Sequence, residues 1–246
     1  MKNFLKYILQ KTLGFQNYLY LFARFVIWKL PFDKKEKDFI KFVDLVEDGA
    51  HVLDIGANIG VMTYYFSKRL VNSAIHAFEP IPENRKVLLR VKRKLVLLNV
   101  KTYSFALGDQ TGIADMIMPK MERVYFHGLS HIKSTEQHKG KVYQVEMKKL
   151  DDLQGLEEVK INAIKIDVEE YEFQVLRGAE NTIRKNRPLI YCELWDTNNR
   201  QKSMALIKRL DYKIYINYKN ELTEYDNQKT AQNFFFIPVE HPLNQM

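Results

Sequence analysis

One cysteine, Cys192, stands in a chain of 246 residues. That excludes an intrachain disulfide framework and fits a reducing cytosol. It closes the apolar run Leu189-Ile190-Tyr191-Cys192, where a small buried hydrophobe is expected. Long apolar runs are also missing. Residues 18–30 form the most apolar early stretch, but they carry Arg24 and Lys29 and are too short to span a bilayer. A small-residue cleavage site does not follow, which argues against a signal peptide. The sequence has neither internal repeats of solenoid or propeller period nor low-complexity tracts, and its 28% charged residues are spread along the whole length. Disordered and repeat architectures are thereby set aside. A compact metal-ligand motif is missing too, so no metal is expected.

What is present is a hydrophobic content of 46%, enough for one sizeable core or a core with a small appendage. The formal charge of +8 favours an anionic partner or a membrane surface. Basic residues concentrate at 85–94 (Arg85, Lys86, Arg90, Lys92, Arg93 and Lys94). With no interleaved aromatics or RNA motif, a solvated helix face is the plainer reading and nucleic acid is not the expected partner. The first thirty residues admit two readings. One is a helix packed on the domain, with Leu13-Gly14 breaking it from an earlier helix. The other is an interfacial anchor, with Lys2, Lys6 and Lys11 toward anionic lipid and Trp28 at the boundary.

From residue 50 onward strands alternate with helices. His51–Ile55 and Ala74–Phe78 read as strands, the first followed by Met62, Tyr65, Phe66 and Leu70 at helical spacing. Pro82 opens a helix with Val87, Leu88, Val91 and Leu95 on its apolar face. Residues 100–107 read as one third strand, closed by Gly108-Asp109. Segments 112–118 and 141–147 then read as an inserted β-hairpin around a polar loop holding His127, His131 and His138. Alternation resumes with a strand at 161–167, a helix faced by Phe173, Leu176, Ala179 and Ile183, a strand at 188–194 and a helix near 200–210. Two strands, 212–217 and 233–239, close the chain and suggest an antiparallel edge. This order predicts an α/β fold with a mostly parallel sheet and helices on both faces. Ligands of such sheets sit beyond the carboxyl ends of the strands. Residues 54–60, Glu79, Gly108-Asp109, 167–169 and 193–195 should therefore converge on one rim.

The first of these strand ends is a glycine turn, Asp54-Ile55-Gly56-Ala57-Asn58-Ile59-Gly60. Gly56 and Gly60 suit close backbone approach to a ligand, and the next helix offers free amides. The turn is not the Gly-x-Gly-x-x-Gly dinucleotide fingerprint. Asp54 would be a poor neighbour for pyrophosphate and a good one for the ammonium of a methionine moiety. Glu79, about 20 residues further on, can accept from both hydroxyls of an adenosine ribose. Asp109 either accepts from the adenine amino group or merely serves a turn.

Taken together, the series Val52-Leu53-Asp54-Ile55-Gly56-Ala57-Asn58-Ile59-Gly60, Ala77-Phe78-Glu79-Pro80, Ala106-Leu107-Gly108-Asp109, Ile164-Lys165-Ile166-Asp167-Val168-Glu169 and Leu176-Arg177-Gly178-Ala179 resembles the FkbM-type methyltransferase family over roughly residues 50–240. The resemblance implies a Rossmann-like, seven-stranded methyltransferase sheet using S-adenosylmethionine. With the elements read above, the chain is expected to divide into an N-terminal helical extension over 1–45 and a methyltransferase domain over 46–246 that holds the inserted hairpin and an antiparallel closing strand. The implied cofactor residues are Asp54, Gly56, Asn58, Gly60, Glu79, Ala106, Asp109 and Asp167. The family pattern after the fourth strand runs Asp-Val-Glu-Gly, whereas Glu170 stands here in place of the glycine. Family members mostly methylate hydroxyls of sugars, glycans or secondary metabolites.

For a hydroxyl acceptor, Asp167, Glu169 and His131 are the candidate bases, with Glu193 as a fourth. Glu169 could instead lead the next helix, and His131 could be a surface residue. Trp195 either stacks on a sugar or packs at its strand end. The expected function is O-methyl transfer to a sugar, glycan, glycolipid or related metabolite. An RNA methyltransferase and a non-catalytic cofactor-binding module are the alternatives, and a nicotinamide dehydrogenase ranks last. The expected location is cytoplasmic, with peripheral contact at the inner membrane surface through residues 1–30.

Overall fold

The computed structural model describes residues 2–121, 124–132 and 140–244. His138, one of the loop histidines, lies outside the described residues. The helices and strands run α1 (Lys2–Leu13), α2 (Phe15–Lys29), α3 (Lys37–Leu45), β1 (His51–Ile55), α4 (Val61–Arg69), β2 (Ala74–Phe78), α5 (Pro82–Lys94), β3 (Val100–Tyr103) and β4 (Ala106–Leu107). They continue with β5 (Gly112–Met121), β6 (Val124–Tyr125), β7 (His131–Ile132), β8 (Gly140–Lys148), β9 (Ile161–Ile166), α6 (Glu172–Arg177), α7 (Glu180–Asn186) and β10 (Leu189–Glu193). The last are α8 (Asn198–Arg209), β11 (Tyr212–Tyr218), β12 (Glu221–Glu224) and β13 (Asn233–Pro238).

The main sheet has eight strands in the order β12-β11-β13-β10-β9-β1-β2-β3. Its parallel centre is built from residues that are apolar on both faces. Val52, Ala163, Tyr191 and Phe235 enter one core. Their neighbours Leu53, Ile164, Cys192 and Phe234 enter the other. Burial on both faces at a period of two is what a sheet sandwiched between helices requires. The second face is covered by α6, α7 and α8. The first is covered by α4 and α5 and by the N-terminal helices. Phe42 of α3 stacks on Tyr191 at 5.3 Å, and Phe39 meets Phe66 edge-on at 5.2 Å. Gly14, with φ +73, separates α1 from α2, as the Leu13-Gly14 break predicted.

Three sequence expectations are corrected. The sheet carries an eighth strand because Lys219 and Asn220 both take positive φ, 51° and 74°, and close a two-residue hairpin that adds β12 to β11. The antiparallel closing strand forms as expected: β13 runs antiparallel to both β10 and β11, and β12-β11-β13 make up one antiparallel side of the sheet. The single strand expected over 100–107 is two. β3 stays in the main sheet, while β4 pairs with β8 and carries the chain into the inserted sheet. The helix expected across Phe173 and Ile183 breaks at Gly178-Ala179 into α6 and α7. Gly178 sits there because a Cβ would fall 1.9 Å from the carbonyl oxygen of Gly108. The inserted hairpin itself forms as expected, with β5 antiparallel to β8.

Three side chains knit β1, β2 and β3 from one strand to the next. His51 Nδ1 lies 2.8 Å from His76 Nε2, and His76 Nδ1 lies 2.8 Å from the Tyr103 hydroxyl. Burial, with smaller contributions from His51 and Lys101, depresses the His76 pKa from 6.5 to about 4. The unfolded chain therefore binds a proton that the folded chain refuses between those values. The stabilisation is complete above pH 6.5, is lost as pH falls to about 4 and changes no further below. Urea unfolding at stepped pH should show this share, roughly 3 kcal/mol, as the difference between the native and His76→Gln profiles accumulated over that window.

Candidate active site

The chain runs from β1 outward through β2 to β3, then returns to the other side of β1 with β9 and β10. The reversal between β1 and β9 is the place where a ligand crevice opens in such sheets. A cleft lies there, lined by Gly56, Asn58, Glu79, Ala106, Asp167 and Glu169 among the residues named from sequence, and by Asn84, His127, Gly128 and Tyr171 in addition.

Its floor is the glycine turn. The amides of Gly56 and Ala57 donate to the Phe78 carbonyl at 3.1 and 2.9 Å, binding the turn to the end of β2. Asn58 takes φ 49°, and its amide donates to Glu79 Oε2 at 2.9 Å. Glu79 Oε1 accepts from the Ile81 amide at 2.8 Å. Burial is the main influence on this carboxyl and raises its pKa to about 7, against the amide donors that favour its charge. The glycines serve packing as much as ligand approach. A Cβ on Gly56 would lie 1.8 Å from the Asp167 carbonyl oxygen, and one on Gly60 would lie 2.6 Å from Leu88 Cδ1. Both also have positive φ, 79° and 84°.

Asp54 does not face the cleft. It is fully buried, accepts from Thr63 Oγ1 at 2.6 Å, and pairs with Lys165 Nζ at 3.3 Å. Sequence reasoning gave Lys165 no role, yet it is the centre of the arrangement. Its ammonium, 1% exposed, also reaches Asp167 Oδ2 at 3.4 Å and donates to the Gly56 carbonyl at 3.0 Å. Burial alone would lower its pKa, but the Asp54 and Asp167 carboxylates outweigh that and hold it above the ordinary lysine value. The available signal was a charged residue inside an apolar strand whose neighbours at the rim end in aspartates.

Asp109 is also displaced from its expected role. The split of the third strand carries it away from the cleft, where it pairs with Arg177. His131 lies on β7 opposite Ile117, with Nδ1 2.8 Å from the Leu129 carbonyl, and does not line the cleft. The histidine that does so is His127, four residues earlier. Its Nδ1 lies 2.9 Å from Asn58 Oδ1, its ring meets Phe22 of α2 at 5.7 Å, and burial lowers its pKa to about 4. Its proximity to the turn was not legible, since the short helical turn at His127–Leu129 has no periodic pattern.

At the β9 end the carboxylates diverge. Asp167 faces the cleft and touches Lys165. Glu169 lines the cleft without such a cation. Burial first, then the charges of Asp167, Glu193 and Glu172, push its pKa up to about 8, against a hydrogen bond from Trp195. Glu172 is structural, accepting from the Glu170 amide at 3.0 Å and Asn199 Nδ2 at 2.7 Å. Glu169 and Glu170 take φ 52° and 69°. The glycine-like backbone is thus kept although a glutamate occupies it.

The observed residues fit S-adenosylmethionine. Glu79 offers a carboxylate for ribose hydroxyls, buried Asn84 has a side-chain oxygen with no hydrogen-bond partner, and Asp167 offers a carboxylate for an ammonium. The fold and this cleft define a Rossmann-like methyltransferase. The FkbM methyltransferase domain model matches residues 54–225, and the chain belongs to that family. Methyltransferase 1 of Beauveria bassiana (strain ARSEF 2860) is 29% identical over 183 residues, covering 64% of this chain and 73% of that protein. Methyltransferase sdnD of Sordaria araneosa is 26% identical, covering 59% and 66%. The crystal structure of an FkbM methyltransferase from Methylobacillus flagellatus KT superposes with a TM-score of 0.53 at 16% identity over 78% of this chain, which spans only 45% of that one.

Removing the buried cation should be costly. Lys165→Met should lower stability by about 3–5 kcal/mol in urea unfolding, because it strands Asp54 without its ion-pair partner. Adding Asp54→Asn should recover part of the loss. Glu170→Gly should do the reverse and stabilise by about 0.5–1 kcal/mol, relieving a left-handed glutamate. Calorimetric melting should show a midpoint a few degrees higher.

Proposed function

We propose that the protein transfers the methyl group of S-adenosylmethionine to a hydroxyl of a sugar, glycan, glycolipid or related metabolite. The observation that carries this reading is Glu169, a carboxyl in the cleft whose proton affinity is raised into the neutral range. S-adenosylmethionine, when bound, supplies an activated methyl carbon. The chain's work is then to hold the donor and to prepare an oxygen nucleophile. Glu79 would take the ribose hydroxyls and Asp167 the amino group, while Glu169 would accept the acceptor's hydroxyl proton. Trp195, beside Glu169 and 42% exposed, offers an aromatic face to a sugar ring.

Calorimetric titration with S-adenosylhomocysteine should show binding to the native chain and a loss of roughly tenfold or more in Glu79→Ala. The folded protein failing to bind at high micromolar concentrations would sink the cofactor assignment. Glu169→Gln should bind as before and lose on the order of 10²-fold or more of its turnover. The native rate should rise with pH as Glu169 deprotonates near its pKa of about 8, and the variant should lack that rise. The acceptor is tested with labelled cofactor and fractionated glycan, lipid and RNA pools. Label entering RNA alone would overturn the hydroxyl-on-glycan reading.

A further inference from the structure

Helix α2 buries one face and leaves the other exposed among the described residues. Leu19, Ala23 and Ile27 pack into the core, while Leu21, Phe25, Trp28 and, just beyond the helix, Phe32 form an outer stripe. Those four are 53%, 53%, 68% and 77% exposed. Their spacing of four, three and four residues keeps them in line. The rings touch in series, Phe25 to Trp28 at 6.1 Å and Trp28 to Phe32 at 6.2 Å. An apolar ridge of this size is unusual on a surface that meets only water.

Its charge is one-sided. Residues 1–32 contain five basic residues (Lys2, Lys6, Lys11, Arg24 and Lys29) and no acidic one. Exposed Arg24 and Lys29 flank the ridge, with Lys34 and Lys35 directly after it. The first acidic residue, Asp33, is engaged by Lys29 at 2.6 Å. Behind the ridge, α5 lies against α2. Arg90 reaches Asn17 at 2.8 Å and stacks over Tyr20 at 3.9 Å, bringing a second basic helix to the same face of the sheet.

We propose that this face docks the protein on an anionic lipid bilayer, with Phe25, Trp28 and Phe32 at the acyl–headgroup boundary and the flanking cations on the phosphates. Protein–protein interface cores are depleted in lysine, whereas aromatics set among Lys and Arg are what a headgroup layer accommodates. The contact is peripheral: among the described residues, no helix is long and apolar enough to cross a membrane. The same helix borders the cleft through Phe22 and His127, so a docked chain keeps the cleft within one helix of the lipid. Docking is independent of the methyl-transfer reading, and its test measures no methyl transfer.

The full chain should co-sediment with vesicles of phosphatidylcholine and phosphatidylglycerol in equal parts, and not with phosphatidylcholine alone. Rising salt should release it. Trp28 fluorescence should shift to the blue and be quenched by brominated acyl chains, and Trp28→Ser should abolish that quenching. Phe25→Ser with Phe32→Ser should weaken partitioning roughly tenfold or more. Neutralising Arg24 and Lys29 to Gln should weaken it roughly fivefold per charge. All five positions are on the surface, and circular dichroism checks that the variants fold. A folded chain that stays in the supernatant with the anionic vesicles overturns the proposal. So does a dimer in sedimentation equilibrium that Trp28→Ser dissolves, since the ridge would then be a self-interface.

Discussion

The ammonium of Lys165 sits at the point where the sheet reverses direction, and the cleft is organised around it. It ties the carboxylate of β1, through Asp54, to the carboxylate after β9, through Asp167, and it donates to the carbonyl of Gly56 between them. Burying an ammonium costs several kcal/mol in isolation. Two carboxylates and a carbonyl offset that cost, so each holds the others in place. The glycine turn cannot move without unpairing a buried charge, and Asp167 cannot leave the cleft without doing the same. A rigid floor is what positioning catalysis needs, because small displacements of a bound donor are expensive in rate.

Glu79 extends the same logic to the next strand. Its carboxylate accepts the amide of Asn58, so the residue expected to read a ribose also braces the turn that carries the donor. The His76 relay on β1, β2 and β3 holds those strands together. Its neutral histidine is a buried acceptor and donor at once, which apolar side chains could not provide.

The sequence made the parallel centre legible because both-face burial leaves a plain signature: short apolar runs ending in Asp, Glu or Gly. It also marked the rim, since Gly56, Asn58, Glu79, Ala106, Asp167 and Glu169 all reach the cleft. It was less informative where tertiary pairing overrides local pattern. Residues 100–107 look like one strand, but Ala106 and Leu107 find their partners in β8. That switch moves Asp109 from the expected adenine position to an ion pair with Arg177. Asp54 was misassigned for a related reason. A carboxylate at a strand end looks available until the lysine on the adjacent strand is placed against it. His127 and His131 are equivalent in sequence, and only the course of the insert decides that His127 meets Asn58.

Burial first, and neighbouring charge second, set the proton affinity of the carboxyls Glu169 and Glu193 at this end of the sheet. Asp167 pairs with Lys165 at 3.4 Å and lines the cleft. Glu169 lies two residues on, in the same acidic neighbourhood but with an indole rather than an ammonium beside it, and keeps its proton to about pH 8. Burial, then the charge of Asp167, push the Glu193 carboxyl up to about 7, against the opposing charge of Lys165. Burial thus raises both glutamates into the neutral range beside an aspartate that is ion-paired to the buried lysine. One strand end thereby sets an ion-paired carboxylate two residues from a proton-retaining carboxyl, the division between binding and proton transfer that the proposed reaction would call on.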